Sequence, residues 1–283
     1  MGLKRLAQDA KHQLWLLTKE AAKVRDSGLR RYTKLVPFQY EPARYGLDFH
    51  VLKVPPLQES LQDVVPRRIF CSWTGDNELT SNRRAGLDSI RSTNPDCEVV
   101  LVTQENLHEW VLPEAPLHPS YVHLSFVHRK DYLQAYLLHH HGGGHTDIKR
   151  HPTPWRSGFE QINANPQAWL LGYPIGSLKE ATRIYGPMGG AIHRHFASLP
   201  GTGGMIARAG SPLTHEWILE LNRRMDYYSS LLELYPGNVW GDNEGYPVPW
   251  TKLGSQISEP LFMKYLSHIR LYPAIKSQLF DHR

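Results

Sequence analysis

Two short apolar segments with a helical pattern between them most constrain what this chain can fold into. Residues 68–73 and 98–102 have the composition of buried strands, and residues 80–92 between them have the spacing of a helix. Asn94-Pro95 ends that helix. Strands joined by a helical crossover lie parallel in one sheet. We therefore predict an α/β fold with a mostly parallel central sheet and a ligand site beyond the carboxyl ends of its strands.

The composition is typical of a globular protein with a sizeable core. The chain has 283 residues, 41% of them hydrophobic, which suits one large α/β domain or two small ones. The sequence contains no apolar run of membrane-spanning length and no apolar leader. Its two cysteines, Cys71 and Cys97, lack metal-binding spacing and are expected to be free thiols in a reducing compartment. We therefore expect a cytoplasmic protein.

The positive charge is concentrated at the N-terminus. Residues 1–36 hold nine Lys and Arg against three Asp and Glu, a net charge of +6, whereas the remaining 23 basic and 24 acidic residues sum to −1. Without a basic face, the body is not expected to bind nucleic acid. We predict two parts, a basic helical arm with a wrapping loop over residues 1–60 and the main domain over residues 61–283.

A stripe of small and apolar side chains runs along the basic arm at alternating spacings of four and three residues. This spacing predicts a helix, with Gly28 as its end. One interpretation is peripheral contact of residues 1–36 with an anionic membrane, at the inner face of the cell membrane, or with a partner. The other, which the alanines favour, is a helix that packs on its own domain. The stripe consists of Leu3, Ala7, Ala10, Leu14, Leu17, Ala21 and Val24.

The segment over residues 128–149 holds the residues most suggestive of chemistry. A polar helix start leads to three glycines, at 142–144, and then to Asp147. Glycines allow a sharp turn and close approach to a bulky ligand. A carboxylate at the end of a buried extended segment needs a cation, a hydrogen-bond donor or a ligand beside it. The adjacent histidines at 139–141 point in different directions and are not expected to converge on a zinc ion.

These residues resemble the Asp-X-Asp motif of glycosyltransferases with the GT-A fold, a Rossmann-like nucleotide-sugar-binding fold. The likeness is to the capsular-polysaccharide and Och1-like group and, more remotely, to the glucosylating bacterial toxins. Their pattern is Ser-Asp-x-x-Arg on a helix, followed by Gly-Gly-x-Tyr-x-Asp-x-Asp. In this chain Asp131 matches the helix Asp, Gly142-Gly143 the glycine pair, His145 the Tyr and Asp147 the first motif Asp.

Two positions depart from the family pattern. Gln134 stands in place of the phosphate-binding Arg, and Lys149 in place of the second, metal-chelating Asp. In the family the two acids hold Mn²⁺ or Mg²⁺, which neutralises the diphosphate leaving group. One carboxylate and phosphate oxygens can still hold a hydrated Mg²⁺. Because strand alternation puts Lys149 on the face of Asp147, we expect its ammonium to meet the diphosphate and metal dependence to be weakened or lost. A solvated lysine is the alternative.

The resemblance implies a nucleotide-sugar site at the ends of the predicted strands. Trp73 matches the family's base-stacking Trp, with a core Trp as the alternative. Asp131 would accept hydrogen bonds from the ribose, with a helix N-cap as the alternative. Asp147, the residue that would hold any metal, and Lys149 are the expected catalytic residues. The expected donor-binding residues are Trp73, Thr74, Gly75, Asp131, Gln134, Gly143, Gly144 and His145.

The rest of the chain gives weaker signals. Glycine-rich residues 186–190 and 201–204 match neither a dinucleotide fingerprint nor a P-loop and are predicted to be turns near a cleft. Residues 205–208 are a predicted strand and 212–234 a predicted helix. The tail from residue 235 is expected to be irregular, and its composition is typical either of a carbohydrate site or of a structured surface loop. Its expected acceptor or donor-sugar residues are Asn238, Trp240, Asp242 and Glu244.

The resemblance implies an enzyme, a glycosyltransferase of the hexosyltransferase type. It would move a sugar from a nucleotide-sugar donor, with a UDP-sugar favoured, to a glycan or lipid-linked acceptor in capsule or cell-surface polysaccharide synthesis. Relatives retain the anomeric configuration, through an oxocarbenium-like transition state with an electrostatically stabilised diphosphate. The alternative is a non-catalytic glycan- or nucleotide-binding protein on the same fold, because a fold by itself does not establish activity.

Overall fold

A mixed sheet of six strands forms the centre of the part of the chain that the computed structural model describes, residues 2–46, 50–54 and 61–278. The strands are β1 (Arg68–Trp73), β2 (Glu98–Thr103), β3 (Gly143–Thr146), β4 (Leu170–Pro174), β5 (Pro200–Ala207) and β6 (Ile269–Leu271). In the order β2-β1-β3-β5-β4-β6, all neighbours run parallel except β5, which is antiparallel to β3 and β4. The predicted α/β class with a mostly parallel sheet is confirmed.

Helices connect these strands and cover the sheet. The predicted helices between β1 and β2 and after β5 are confirmed, at Ser81–Thr93 and Pro212–Leu234. Counted over the described residues, the helices are α1 (Gly2–Leu35), α2 (Pro42–Tyr45), α3 (His50–Lys53), α4 (Ser81–Thr93), α5 (Phe126–His140), α6 (Arg156–Ala164), α7 (Gly186–Arg194), α8 (Pro212–Leu234) and α9 (Ser255–Lys264).

Hydroxyl side chains cap the N-termini of three helices, α4, α5 and α8. The oxygens of Thr80, Ser125 and Ser211 accept hydrogen bonds from backbone N–H groups three residues on, at the starts of α4, α5 and α8. Each bond satisfies a donor that the first helical turn leaves without a partner. Ser125 therefore sets where α5 begins, which in turn sets the position of the residues around Asp131 relative to the sheet.

The core has two layers, one on each face of the sheet. Alternate residues of β1 point to opposite faces, so Phe70 packs with α5, α8 and α9, while Ile69 and Cys71 pack with α4 and α6. Parallel strands covered on both faces read as continuous apolar runs, which is how β1 and β2 are recognisable from sequence. Leu52 of the predicted arm is fully buried and belongs to the same cluster as Phe70.

Several local predictions are wrong, most of them at glycines. Residues 186–190 begin α7, and residues 201–204 lie inside β5. Gly28 does not end α1, which continues to Leu35. Packing explains two of these glycines: a Cβ at Gly189 would lie 1.9 Å from the Ile184 carbonyl oxygen, and one at Gly201 would lie 2.3 Å from the Tyr173 ring. The tail predicted to be irregular contains α9.

The apolar stripe of α1 is exposed where its side chains are described. Leu14, Leu17 and Val24 are 63%, 67% and 73% exposed. The interpretation in which this stripe packs on the body is therefore wrong for these three residues. Across the described ranges, no helix combines the length and apolar content that crossing a bilayer requires.

A buried ion pair joins α9 to α8 and α3. The Lys264 ammonium lies 2.8 Å from the Glu216 carboxylate, and both side chains are almost fully buried. The same ammonium donates to the carbonyl oxygens of Val51, at 2.6 Å, and Val54, at 3.0 Å. Removing one partner of such a pair leaves an uncompensated charge in the core.

We predict that Lys264→Met lowers the free energy of unfolding by about 3–5 kcal/mol, because the Glu216 carboxylate loses its counter-ion. Denaturant titration followed by circular dichroism measures this loss. Lys179→Met, at an exposed position, should change stability by less than about 0.5 kcal/mol. The double variant Glu216→Gln, Lys264→Met should recover part of the loss; an equal or larger loss would contradict the ion-pair explanation.

A second buried carboxyl group, that of Glu259, predicts a pH dependence. Glu259 is 3% exposed and accepts a hydrogen bond from the Thr182 N–H at 2.8 Å. Burial raises its pKa from 4.5 to about 8. The folded state therefore keeps this proton up to about pH 8, whereas the unfolded chain releases it above about pH 4.5. The stabilising contribution is fully present below pH 4.5 and is lost as pH rises toward 8.

Glu259→Gln should remove this dependence. Between pH 5 and pH 8 the free energy of unfolding of the wild type should fall by a few kcal/mol relative to that of the variant, at about 1.4 kcal/mol per unit of pKa shift. Denaturant titrations at a series of pH values measure the difference, in which other titrating groups cancel. Glu233→Gln, at an exposed position, is the matched control. Parallel pH profiles for wild type and Glu259→Gln would contradict the prediction.

Candidate functional site

Two lysine ammonium groups hold the carboxylate of Asp147 at the end of β3. Lys130 Nζ lies 3.0 Å from Asp147 Oδ1, and Lys149 Nζ lies 2.7 Å from Asp147 Oδ2. All three side chains are partly exposed, between 15% and 25%. Lys149 therefore lies beside Asp147 and is not the solvated lysine of the alternative. Because β3 ends at Thr146, the contact comes from the bend that follows the strand and not from the predicted strand alternation. Lys130 comes from the second turn of α5 and was not among the predicted site residues.

The ammonium groups keep Asp147 ionised. Burial by itself raises the pKa of Asp147, but Lys130 and Lys149 outweigh it and lower that pKa well below its usual range. Burial lowers the pKa of Lys130, and the carboxylates of Asp147 and Asp131 outweigh it and raise that pKa. The carboxyl group of Asp147 and the ammonium group of Lys130 are therefore both charged at neutral pH.

The buried side chain of Gln134 holds Lys130 in position beside Asp147. Its amide oxygen accepts a hydrogen bond from Lys130 Nζ at 3.1 Å, and its amide nitrogen donates to the Thr202 carbonyl oxygen of β5 at 2.7 Å. Gln134 is 2% exposed. At the position that matches the phosphate-binding Arg of the glycosyltransferases that the sequence resembles, this chain has a buried amide that orients a lysine one helical turn earlier. The positive charge is thus supplied by Lys130 and not by residue 134.

Gly143, Gly144 and His145 of β3 pack inside the sheet and its core. A Cβ at Gly143 would lie 2.8 Å from the Arg68 carbonyl oxygen, and one at Gly144 would lie 2.7 Å from the Trp155 ring. Close packing therefore accounts for these glycines, in place of the close approach to a ligand inferred from sequence. His145 is fully buried, and its Nε2 pairs with Ser72 Oγ at 3.2 Å.

Burial also keeps His145 neutral, because it lowers the pKa of this histidine to about 3. In this structure Gly143, Gly144 and His145 are covered and shape the strand beneath the Asp147 carboxylate. The donor-binding roles expected for them would therefore be indirect.

Trp73 lines a cleft of about 400 Å³ at the carboxyl ends of β1 and β2. The indole is partly exposed, and its N–H donates to the Asn77 carbonyl oxygen at 2.6 Å. Its ring packs in part against the core cluster of Ile69 and Cys71 and in part faces the cleft, so it is not a fully buried core Trp. Gly75 lines the same cleft, whereas Thr74 is buried and its hydroxyl donates to the Phe126 carbonyl oxygen at 2.6 Å. The cleft is further lined by Asp76, Asn77, Glu78, Leu79, Leu101, Thr103, Gln104 and Glu105.

Asp131 lies beside Lys130, one residue along α5. The cap of α5 is Ser125, so the alternative of Asp131 as an N-cap is wrong. Its carboxylate lies 3.6 Å from the Lys130 ammonium, and a Cβ at Gly254 would lie 2.8 Å from Asp131 Oδ2. Burial raises the pKa of Asp131 more than Lys130 lowers it. The tail of the chain thus passes directly over this carboxyl group.

The tail loop over residues 237–247 is fastened to the start of α5. The N–H groups of Phe126 and Val127 donate to the carbonyl oxygens of Asn238 and Val239, both at 3.3 Å. His128 Nδ1 pairs with the Tyr246 hydroxyl at 2.7 Å. These contacts place the loop next to the segment that also binds Thr74.

Within the loop, polar side chains mainly stabilise the turn. Asn238 Oδ1 accepts from the N–H groups of Trp240, at 3.0 Å, and Gly241, at 2.7 Å, and its amide donates to Asp242. Trp240 is 52% exposed, and Asp242 and Glu244 are also exposed. The structure thus holds an exposed indole and two acids on a structured loop beside α5.

Tyr173 of β4 is a further residue of the site that sequence reasoning missed. A Cβ at Gly203 would lie 2.9 Å from the Tyr173 hydroxyl and 3.4 Å from Asp147 Oδ2, so the two groups face the same small space. The Lys276 ammonium lies 5.5 Å from the centre of the Tyr173 ring. For Lys130 a signal was available, because Lys130 and Gln134 are one turn apart on a helix. No local signal identifies Tyr173, since sheet pairing brings it there.

The side chains around Asp147 do not form a donor set that fits a divalent metal. Both oxygens of Asp147 are bonded to ammonium groups, and Lys149 occupies the position of the second acid. Among the residues that the structure describes, no three His, Cys, Asp or Glu side chains converge as metal ligands. Adjacent histidines 139–141 accordingly make separate contacts: His139 with Thr214, and His141 with the Trp110 carbonyl oxygen.

No family model matches this chain and no curated protein matches it, so these comparisons name no family for it.

We predict that Mn²⁺ alone does not raise the melting temperature of the wild-type protein, because a cation would have to displace two ammonium groups from Asp147. A ligand that binds only the folded state raises the midpoint by mass action, so a thermal-shift titration measures this. Lys149→Asp, which supplies a second carboxylate, should gain a Mn²⁺-dependent increase. A saturable shift in the wild type that disappears in Asp147→Asn would contradict the prediction.

Proposed function

We propose that this protein is a glycosyltransferase with the GT-A fold, which transfers a sugar from a nucleotide-sugar donor, a UDP-sugar by preference, to a glycan or lipid-linked acceptor. The observation that carries the proposal is the pair of ammonium groups on Asp147 at the carboxyl edge of a mostly parallel sheet. Such an edge is where α/β sheets bind ligands. Two partly exposed ammonium groups suit the oxygens of a diphosphate.

The neighbouring cleft suits the nucleoside half of the donor. Register in the sheet pairs Trp73 of β1 with Thr103 of β2, so an indole and a hydroxyl face the same opening. A base stacked on an aromatic ring is stabilised by about 1–3 kcal/mol. β1 lies between β2 and β3, so the base at Trp73 and the diphosphate at Asp147 would lie along one edge of the sheet. Asp131 would accept hydrogen bonds from the ribose.

The transfer itself requires stabilisation of the leaving group. In the proposed reaction the bond between the anomeric carbon and the diphosphate oxygen breaks, and its electron pair goes to that oxygen. The acceptor hydroxyl forms the new bond to the anomeric carbon, and its proton passes to the leaving phosphate. Lys130 and Lys149 would stabilise the negative charge that develops on the diphosphate. Attack on the same face as the departing phosphate needs no protein nucleophile and retains the configuration.

In this proposal the two lysines take the electrostatic part that a divalent cation plays in the family. Each contributes one positive charge, and Asp147 holds both ammonium groups in place until phosphate oxygens share them. Lysine acts as a point charge on phosphate and does not require a fixed coordination geometry. The exposed Trp240 and the acids of the tail loop would then face the sugar and acceptor.

The proposal predicts that UDP-sugars bind in the absence of metal and that Lys130→Met and Lys149→Met each weaken binding. Loss of one charge-assisted hydrogen bond of about 1.5–3 kcal/mol raises Kd by about 10- to 150-fold. Isothermal titration calorimetry of UDP and GDP sugars in EDTA measures this. Trp73→Ala should weaken every nucleotide by a similar factor, because stacking does not depend on the base.

Controls separate the possible outcomes. Lys179→Met removes an exposed positive charge elsewhere and should leave Kd unchanged. Release of nucleoside diphosphate from a bound sugar donor would establish turnover, and its loss in Lys149→Met with unchanged folding would place that lysine in catalysis. A donor that binds but is never turned over favours the non-catalytic alternative. If no nucleotide binds the folded protein, the proposal fails.

A further inference from the structure

Helix α1 contacts the body through its C-terminal third. Asp26 Oδ2 accepts a hydrogen bond from the Leu178 N–H at 3.2 Å, and Thr33 Oγ1 donates to the Arg194 carbonyl oxygen at 3.2 Å. The Arg30 guanidinium donates to the Gly176 carbonyl oxygen, and Leu29 packs against the core. These contacts anchor one end of α1, whereas residues 10–21 are exposed throughout.

The apolar stripe points away from the anchored face. Residues of an α-helix are about 100° apart around its axis. On this measure Leu14, Leu17 and Val24 share one face, and the contact residues Asp26 and Arg30 lie on roughly the opposite side. The exposed fractions of the three apolar side chains, 63%, 67% and 73%, agree with this placement. Within the described residues, nothing in the chain covers the stripe.

The net positive charge of α1 determines which kind of partner can bind its apolar face. The whole segment over residues 1–36 carries a net charge of +6, so two copies of α1 packed along their stripes would repel each other. Alanines at positions 10 and 21 would also make poor knobs for a helix pair. An anionic lipid surface, in contrast, attracts the lysines and arginines and accommodates an irregular apolar stripe.

We propose that α1 is a docking helix for anionic lipid bilayers. Leu14, Leu17 and Val24 enter the boundary between headgroups and acyl chains. The basic residues on the flanks and back of the helix attract the anionic surface through their summed charge: Lys11, Lys19, Lys23, Arg25, Arg31 and Lys34.

The anchor of α1 lies at the same sheet edge as Asp147. Ile175 and Gly176, whose carbonyl oxygens accept from Arg30, directly follow β4. Because β4 and β3 are both antiparallel to β5, they run in the same direction and end at the same edge. A bilayer bound to α1 would therefore lie near that edge. Under the proposed function this would bring a lipid-linked acceptor to the transfer site, although lipid binding does not depend on that function.

The test is flotation of the full-length protein with vesicles. We expect binding to phosphatidylcholine vesicles that contain phosphatidylglycerol, weak binding to phosphatidylcholine alone, and loss of binding in about 1 M salt, where charges are screened over about 3 Å. Leu14→Glu with Leu17→Glu should reduce the bound fraction at least tenfold, and so should Lys19→Glu with Lys23→Glu. The matched control, Leu231→Glu with Leu234→Glu, alters exposed leucines of α8 and should bind like the wild type.

Other outcomes would overturn the proposal. Equal binding by the wild type and the α1 variants would show that another surface binds lipid. Absence of binding to anionic vesicles, together with a dimer in sedimentation velocity that Leu14→Glu and Leu17→Glu dissociate, would assign the stripe to a second copy. Denaturant midpoints confirm that each variant is folded. Nucleotide-sugar binding is measured without vesicles, so failure of either proposal leaves the other distinguishable.

Discussion

The proposed site depends on the ion pairs that the Asp147 carboxylate makes with Lys130 and Lys149. The carboxylate joins the end of β3 to α5 through Lys130 and to the following loop through Lys149. Through Gln134, which bonds both Lys130 and the Thr202 carbonyl oxygen, the same network reaches β5. A partly buried lysine without a counter-charge would shift toward its neutral form. One acid therefore helps to keep the Lys130 ammonium charged, binds that of Lys149 at 2.7 Å, and gathers three neighbouring elements around them.

This arrangement also explains how a cationic site can be stable before a ligand arrives. Two ammonium groups close together repel each other, and Asp147 offsets that repulsion in the free protein. A diphosphate has more negative oxygens than a carboxylate, so it can share the ammonium groups without removing Asp147. Asp131, at 3.6 Å from Lys130, lies beside the same ammonium group, and burial raises its pKa.

Sequence alone predicts the elements in which local pattern and tertiary structure agree. The strands at Arg68–Trp73 and Glu98–Thr103 and the helix at Pro212–Leu234 are apolar in the right period, and Lys149 is near Asp147 because both belong to one short segment. The one-turn spacing of Lys130 and Gln134 is visible in the sequence, but the contact of Lys130 with Asp147 depends on how α5 crosses β3, which no local pattern contains. The turn prediction at Gly201 and Gly203 of β5 is wrong for a related reason, since the residue that requires these glycines, Tyr173, is distant in sequence.

The same distinction determines what can be inferred about the tail loop. Its composition suggests sugar binding, but its position comes from hydrogen bonds to the first turn of α5, where Ser125, His128 and Tyr246 meet. One turn further on, the same helix presents Lys130 and Asp131. A rigid helix therefore fixes the distance between the proposed diphosphate site and the loop with the exposed Trp240. In the proposed function, the spacing between these two turns of α5 sets how far an acceptor bound at the loop lies from the leaving diphosphate. The choice of acceptor would then depend on α5 as well as on the loop.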